Sequence, residues 1–200
     1  MIFVHYVLAL LAAYLVGAIP TAYVVGKWRN IDITRHGSGN VGGTNAMRVM
    51  GVGPGVAVAL CDFLKAAVPT YLATQVTGVA TWQVLTIAAA TVIGHNWSVY
   101  IGFRGGKGIA CTIGVSAILY TPILLTSLAV AALVMYLTRY VSAGSLLMTA
   151  LIPALLFLWR FDTNYIVFSL FIMALAFYRH RSNIARLWAG TENKLGRSKK

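Results

Sequence analysis

Residues 2–26 form an apolar run whose only ionisable group is His5. A helix of that length rises about 37 Å, enough to cross a hydrocarbon layer of about 30 Å. A segment of this kind has lipid as its solvent, and in lipid a single stretch satisfies its backbone only as a helix. A cleaved leader would carry positive charge before the run; here Lys27 and Arg29 follow it, which predicts a retained helix with the N-terminus outside. The remainder agrees with that solvent. Of 200 residues 59% are hydrophobic and 10% charged, against roughly 25% charged in soluble domains, and the mean hydropathy is +0.78. The expectation is an all-α polytopic membrane protein, one integral membrane domain over 1–200.

Further spans are predicted at 53–75, from a charge-free loop around 77–81 to near 94, within 109–138, at 148–159 and at 165–178. The stretch 109–138 is interrupted by Thr121-Pro122 and reads either as two short helices or as one long broken helix. Two helices give seven transmembrane helices. Lys27, Arg29, Arg35, Arg48, Arg104, Lys107, Arg139 and seven tail residues, 14 of the 16 Lys and Arg, then fall on one side. Arg160 lies opposite and Lys65 within a span. One helix would split the cations between faces. Positive charge favours the cytoplasmic side, so seven helices with a cytoplasmic C-terminus are expected. The cytoplasmic polar segments would then be 27–52, 94–108, 139–145 and 179–200. In the last, Ile184, Leu187, Trp188 and Leu195 interleave with Arg181, Arg186 and Lys194, as in an interfacial amphipathic helix.

The net charge of +12 does not point to nucleic acid, because the cations are divided among short loops; anionic ligands and membrane orientation explain them. Cys61 and Cys111 lie inside apolar segments and suggest neither disulfide nor metal site. Asp62 and Lys65, three residues apart on one helix face, read first as a structural ion pair in the bundle interior. His95 is expected to cap its helix or orient the following glycine loop, and His36 to be solvated.

The densest polar run is Gly37-Ser38-Gly39-Asn40-Val41-Gly42-Gly43-Thr44-Asn45-Ala46-Met47-Arg48. It has no carboxylate. Its glycines let backbone N–H groups converge, while Ser38, Asn40, Thr44 and Asn45 add neutral donors and Arg48 a fixed positive charge, an inventory suited to an oxyanion. Taken alone, it also suits a flexible turn. A second island places Arg104 and Lys107 among Gly102, Gly105, Gly106 and Gly108, again without acid. With His180, Arg181 and Asn183, these groups are expected to meet at one membrane face that attracts dianions, at least one of them on an acyl or prenyl tail, while Ser142 and Ser145 read either as phosphate contacts or as helix caps.

Few carboxylates are at hand for Mg²⁺, only Asp32 and Glu192 in these loops, and no G-x-S-x-G elbow is present. Direct transfer from an activated donor is left, with cations stabilising developing charge and a histidine or the substrate's own phosphate as base. A phosphate-ester transporter would call for internal repeats and polar residues deep in several spans. A metal-dependent phosphotransferase or a lipid phosphatase would call for an acidic cluster or a second histidine motif.

Three segments carry a family resemblance. GSGNVGGTNAMR at 37–48, GHNWSVYIGFRGGKGIAC at 94–111 and HRSNIARLWAGTENK at 180–194 resemble the motifs of the bacterial acyl-phosphate-dependent glycerol-3-phosphate acyltransferases, the PlsY family. Gly43 stands where Ala is usual and Cys111 where Thr is common. The resemblance implies a seven-helix protein of the bacterial cytoplasmic (inner) membrane that needs no cofactor or metal. Its substrates would be acyl-phosphate and glycerol 3-phosphate, its product lysophosphatidic acid, with no obligate protein partner. It implies that Ser38, Arg48, Lys107, His180 and Asn183 hold the phosphates and reacting oxygens. Gly37, Gly39, Asn40, Gly42, Thr44, Asn45, Arg104, Gly105, Gly106, Gly108, Ser142 and Arg181 would complete the phosphate contacts.

Overall fold

A computed structural model describes residues 2–195. Among these every regular element is helical apart from one isolated bridge between Ser98 and Arg104. The chain forms two compact units, Met1–Ile118 and Leu119–Lys200.

In the first unit the initial apolar run is not one helix. It divides into α1 (Ile2–Ala18) and α2 (Thr21–Trp28), which corrects the unbroken helix expected over 2–26. Pro20 has no N–H and its ring crowds the preceding turn, so the helical ladder stops there. The N–H of Tyr23 turns to Pro20 O at 2.9 Å, releasing the Ile19 carbonyl from its usual helical partner. Phe3–Trp28 as a whole remains long and apolar enough to cross a membrane.

The polar island after α2 is half helical. Thr44 to Arg48 lie on α3 (Gly43–Met50), which packs on α4 (Val52–Thr74). At their crossing a Cβ on Gly55 would overlap Met47. Next come α5 (Thr81–Asn96), a 3₁₀ turn at Val99–Ile101 and α6 (Ile109–Leu119). The seam between α1 and α5 is made by small residues: a Cβ on Gly17 would run into Thr91 O, and one on Gly94 into Tyr14 O. In lipid, backbone proximity of this kind replaces the hydrophobic drive that holds soluble helices together. A core of Ala22, Ile33, Val41, Ala46, Met50 and Val58 lies beneath the first glycine-rich segment.

In the second unit α7 (Thr121–Thr138), α8 (Val141–Leu158) and α9 (Thr163–Arg179) pack in sequence, and the short α10 (Arg181–Trp188) lies against α8 and α9. A break at Tyr120 ends α6, and Pro122 sits in the first turn of α7, where its missing N–H costs nothing. So 109–138 is two helices. The segment expected as a loop at 139–145 narrows to Arg139–Tyr140, with Ser142 and Ser145 already on α8. The tail helix ends at Trp188, so Leu195 is not on it and instead donates its N–H to Arg139 O at 2.8 Å. Trp188 is 89% exposed. Of the seven tail cations, Arg197, Lys199 and Lys200 lie outside the described residues.

Among the described residues, four stretches are long and apolar enough to cross a membrane: Phe3–Trp28, α4, α7 and α8; α6 and α9 are apolar but shorter.

Candidate active site

The first glycine-rich segment is held from within by Asn45, which is 1% exposed. Its Oδ1 accepts the Ser38 N–H at 2.8 Å, and its Nδ2 faces the carbonyls of Ile33, His36 and Asn40 at 3.3, 3.1 and 3.1 Å. Asn45, expected among the phosphate contacts, thus shapes the loop by engaging the loop's own backbone. Gly37 and Gly39 turn through positive φ, and a Cβ on Gly37 would overlap Asn45 Oδ1. This leaves Ser38, Thr44 and Arg48 on the exposed side of the segment. The N–H groups of the first turn of α3, which begins after Gly42, have no intrahelical acceptor.

Upstream, Asp32 Oδ1 accepts from the Thr34 hydroxyl at 2.6 Å and the Thr34 amide at 3.1 Å, and Asp32 Oδ2 pairs with Arg35 at 3.3 Å. The Thr34 bonds, with a smaller effect from Arg35, hold the Asp32 carboxyl below its ordinary value of 3.8. His36 is exposed and bonds through Nδ1 to Asp32 O at 2.7 Å.

The second segment lies beside the first. The Gly106 N–H donates to His95 O at 3.0 Å. A Cβ on Gly106 would overlap His95 Nε2 and come within 2.9 Å of Val41 O. Two of the predicted islands therefore meet in one unit at Val41 and Gly106. Lys107, half-buried, stands between Gly106 and Gly108; Arg104 is exposed.

Deeper in the same unit, Asp62 (2% exposed) and Lys65 (9%) form an ion pair at 2.8 Å. Asp62 Oδ1 also accepts from Thr21 at 3.0 Å and lies 3.6 Å from His95 Nδ1. Lys65 Nζ donates to Ile19 O at 2.7 Å, the carbonyl freed by the α1–α2 break. Cys111 Sγ donates to Asp62 O at 3.1 Å. Every charge in this cluster has a partner inside the bundle, as a charge in lipid requires. Its position ties helices together, away from the glycine segments' exposed side.

In the second unit Glu192 is the centre. Its Oε1 accepts from Ser142 at 3.0 Å and Asn183 at 2.6 Å, and its Oε2 from Arg186 at 2.7 Å. Ser142 on α8 and Asn183 on α10, predicted from separate islands, are thereby joined. His180, 3% exposed at the α9–α10 junction, has Nδ1 2.8 Å from Ala176 O. A carbonyl can only accept, so Nδ1 carries the hydrogen and the lone pair of the neutral ring is on Nε2. Arg181 is exposed, stacks over Tyr178 at 4.7 Å and bonds its carbonyl at 3.1 Å.

Sequence reasoning gave His95 a choice between capping its helix and orienting the glycine loop and gave Asn96 no role; His95 lies against Gly106 and Asn96 against Gly108. The signal was the Gly-Lys-Gly spacing, which requires something to press against each glycine. Glu192 was noticed as one of two loop carboxylates and as part of a motif, without a structural role; three convergent donors make it the organiser of the second unit.

Three comparisons bear on this arrangement. The family model described as "Glycerol-3-phosphate acyltransferase" matches residues 7–190. A glycerol-3-phosphate acyltransferase of Halalkalibacterium halodurans is 45% identical, with 96% of each chain covered. Glycerol-3-phosphate acyltransferase 1 of Deinococcus radiodurans is 44% identical, covering 94% of this chain and 95% of its own. Among solved structures, the crystal structure of PlsY (YgiH), an integral membrane glycerol 3-phosphate acyltransferase, in its glycerol 3-phosphate form superposes with a TM-score of 0.92 at 36% identity and 96% coverage of both chains. Its lysophosphatidic acid form gives 0.90 at the same identity and coverage.

Proposed function

Since this chain belongs to the glycerol-3-phosphate acyltransferase family, we propose that it transfers a fatty acyl group from acyl-phosphate to the 1-hydroxyl of glycerol 3-phosphate. The products are lysophosphatidic acid and inorganic phosphate, at the entry to phospholipid synthesis. The observation that carries this reading is the meeting of two acid-free glycine segments at Val41 and Gly106, with Arg48, Arg104 and Lys107 as their cations. The solved relatives in glycerol 3-phosphate and lysophosphatidic acid forms support the acceptor and the product.

Acyl-phosphate is a mixed anhydride, so the acyl carbon is already activated. The acceptor hydroxyl oxygen bonds to that carbon, and the bond from carbon to phosphate oxygen breaks with its electron pair leaving on phosphate. Lys107, Arg48 and Arg104 stabilise the charge that develops on the carbonyl oxygen and the leaving phosphate, and Ser38 and the glycine-segment amides add neutral donors. The motif resemblance assigns Ser142, Asn183 and Arg181 of the second unit to phosphate as well, and positioning of the substrates contributes most of the remaining acceleration. The hydroxyl proton goes to His180 Nε2 or to a phosphate oxygen of the substrate. The lone pair that Nδ1 bonding leaves on Nε2 supports the first route.

The same reading has seven transmembrane helices in the bacterial cytoplasmic membrane: α1–α2 together, then α4 to α9 in turn. The N-terminus is outside and the site cytoplasmic. It is supported by the break at Tyr120 and by the bias of Lys and Arg to one set of loops. Purified protein, acyl-phosphate and labelled glycerol 3-phosphate test the reaction. Labelled lysophosphatidic acid formed without coenzyme A or added metal is the expected result; product formed only from acyl-coenzyme A overturns the donor assignment.

A further inference from the structure

The glycines on either side of Lys107 each rest on a side chain, and the two side chains are consecutive residues at the end of α5. A Cβ on Gly106 would overlap His95 Nε2, and a Cβ on Gly108 would come within 2.9 Å of Asn96 Oδ1. Gly108 also has φ +79°, a backbone conformation that disfavours any side chain. The segment is pinned again from the backbone, by the Gly106 N–H on His95 O at 3.0 Å, and a Cβ on Gly105 would overlap that same carbonyl.

The platform beneath is itself braced. His95 is 6% exposed, with Nδ1 3.6 Å from Asp62 Oδ1. Asp62 is fixed by Lys65 at 2.8 Å and Thr21 at 3.0 Å, and Lys65 by Ile19 O at 2.7 Å. Four elements, α2, α4, α5 and the α1–α2 break, thus converge on one imidazole, whose far edge touches the glycine beside Lys107. Asn96 is 0% exposed, and neither atom of its carboxamide has a hydrogen-bond partner among the described residues. A buried amide left in this way is costly. Its contact here is with the loop.

From this juxtaposition we infer that His95 and Asn96 are positioning residues for Lys107: they set the height and direction of the loop that presents the ammonium to phosphate, without touching substrate. The Asp62–Lys65 pair is the strut that keeps His95 in place. The inference rests on the phosphate-binding role proposed above for Lys107.

A double-mutant cycle separates positioning from general support. Lys107→Ala, His95→Ala and the combined variant are purified and assayed, with the inhibition constant of inorganic phosphate read alongside kcat and KM. His95→Ala is expected to lower kcat/KM by roughly 10²-fold, the scale on which a displacement of about 1 Å acts, and to weaken phosphate inhibition. In the Lys107→Ala background it is expected to cost less than about threefold, because the group it positions is gone. Gly106→Ala keeps every side chain of the Asp62–Lys65–His95 cluster and serves where His95→Ala does not fold; its Cβ meets His95 Nε2 and pushes loop and imidazole apart, and the same loss and the same non-additivity are expected. Losses that multiply in the combined variants, or phosphate inhibition unchanged in His95→Ala and Gly106→Ala, overturn the positioning role. Near-normal rates in Lys107→Ala alone overturn the earlier assignment of that lysine instead.

Discussion

Asn183 donates its side-chain amide to Glu192 Oε1 at 2.6 Å, and Ser142 donates to the same oxygen at 3.0 Å. One carboxylate oxygen therefore orients two groups that were predicted to contact phosphate, one on α8 and one on α10. The other oxygen anchors Arg186 at 2.7 Å. Glu192→Ala is expected to lower stability by about 1–3 kcal/mol, since three donors lose their acceptor, and to impair turnover further by releasing Asn183. Glu192→Gln keeps one acceptor oxygen and is expected to fall between. Thermal unfolding in detergent, with activity at a temperature where all variants are folded, checks both.

Lys107→Ala and Arg48→Ala each remove a cation facing the glycine segments. Each is expected to reduce kcat by at least about 10²-fold with little change in unfolding temperature, as loss of one preorganised charge does elsewhere. Steady-state kinetics beside a melting curve distinguishes this from a folding defect. Inorganic phosphate is expected to inhibit the unaltered enzyme and to do so less well in both variants.

The Asp62–Lys65 pair behaves as a unit. Lys65→Met strands a carboxylate that is 2% exposed, and removal of one partner from a buried pair costs about 3–5 kcal/mol. Asp62→Asn together with Lys65→Met removes both charges and is expected to recover part of that loss. A single variant as stable as the parent would show that the pair contributes little.

Asp32 gives a pH signature outside the membrane. Thr34 lowers its folded pKa below the ordinary 3.8. The stabilisation of the turn is therefore present in full above the unfolded value and is lost as pH falls through the lower folded one. An NMR titration of the Asp32 carboxyl is expected to give a midpoint under 3.8, and Thr34→Ala is expected to move it back upward. His180→Ala supplies a second profile: near-total loss of activity at every pH points to the imidazole as a required base or phosphate ligand, whereas a mild loss assigns the proton to the substrate phosphate.

The apolar runs made the helices legible, because lipid leaves a backbone few alternatives; α4 lies within one residue of its predicted bounds. The two-helix reading of 109–138 rested on Thr121-Pro122, and the break falls at Tyr120. Pro20 carried the same kind of signal, yet the run around it is so apolar that hydropathy masked the chemistry of a missing N–H. In the glycine segments composition pointed to an anion, but it could not separate Asn45, which faces inward to carbonyls, from Ser38, which faces out. That distinction depends on backbone direction at Gly37 and Gly39. The tie of Glu192 to Ser142 and of His95 to Asp62 was obscured for a related reason: these partners lie 50 and 33 residues away, and periodicity carries no information over such separations.

The interruption at Ile19–Pro20 has a consequence for how this chain can change. An uninterrupted first helix would enclose the Ile19 carbonyl in its own ladder, and the Lys65 ammonium would lose its oxygen. An apolar residue at 65 would remove the ammonium and leave that oxygen only the Thr21 N–H, 3.0 Å away within the turn itself. The dependence therefore runs one way: the turn keeps a donor for its carbonyl without the lysine, whereas straightening the helix takes an acceptor from a buried ammonium, so a lineage that discards both must lose the charge first.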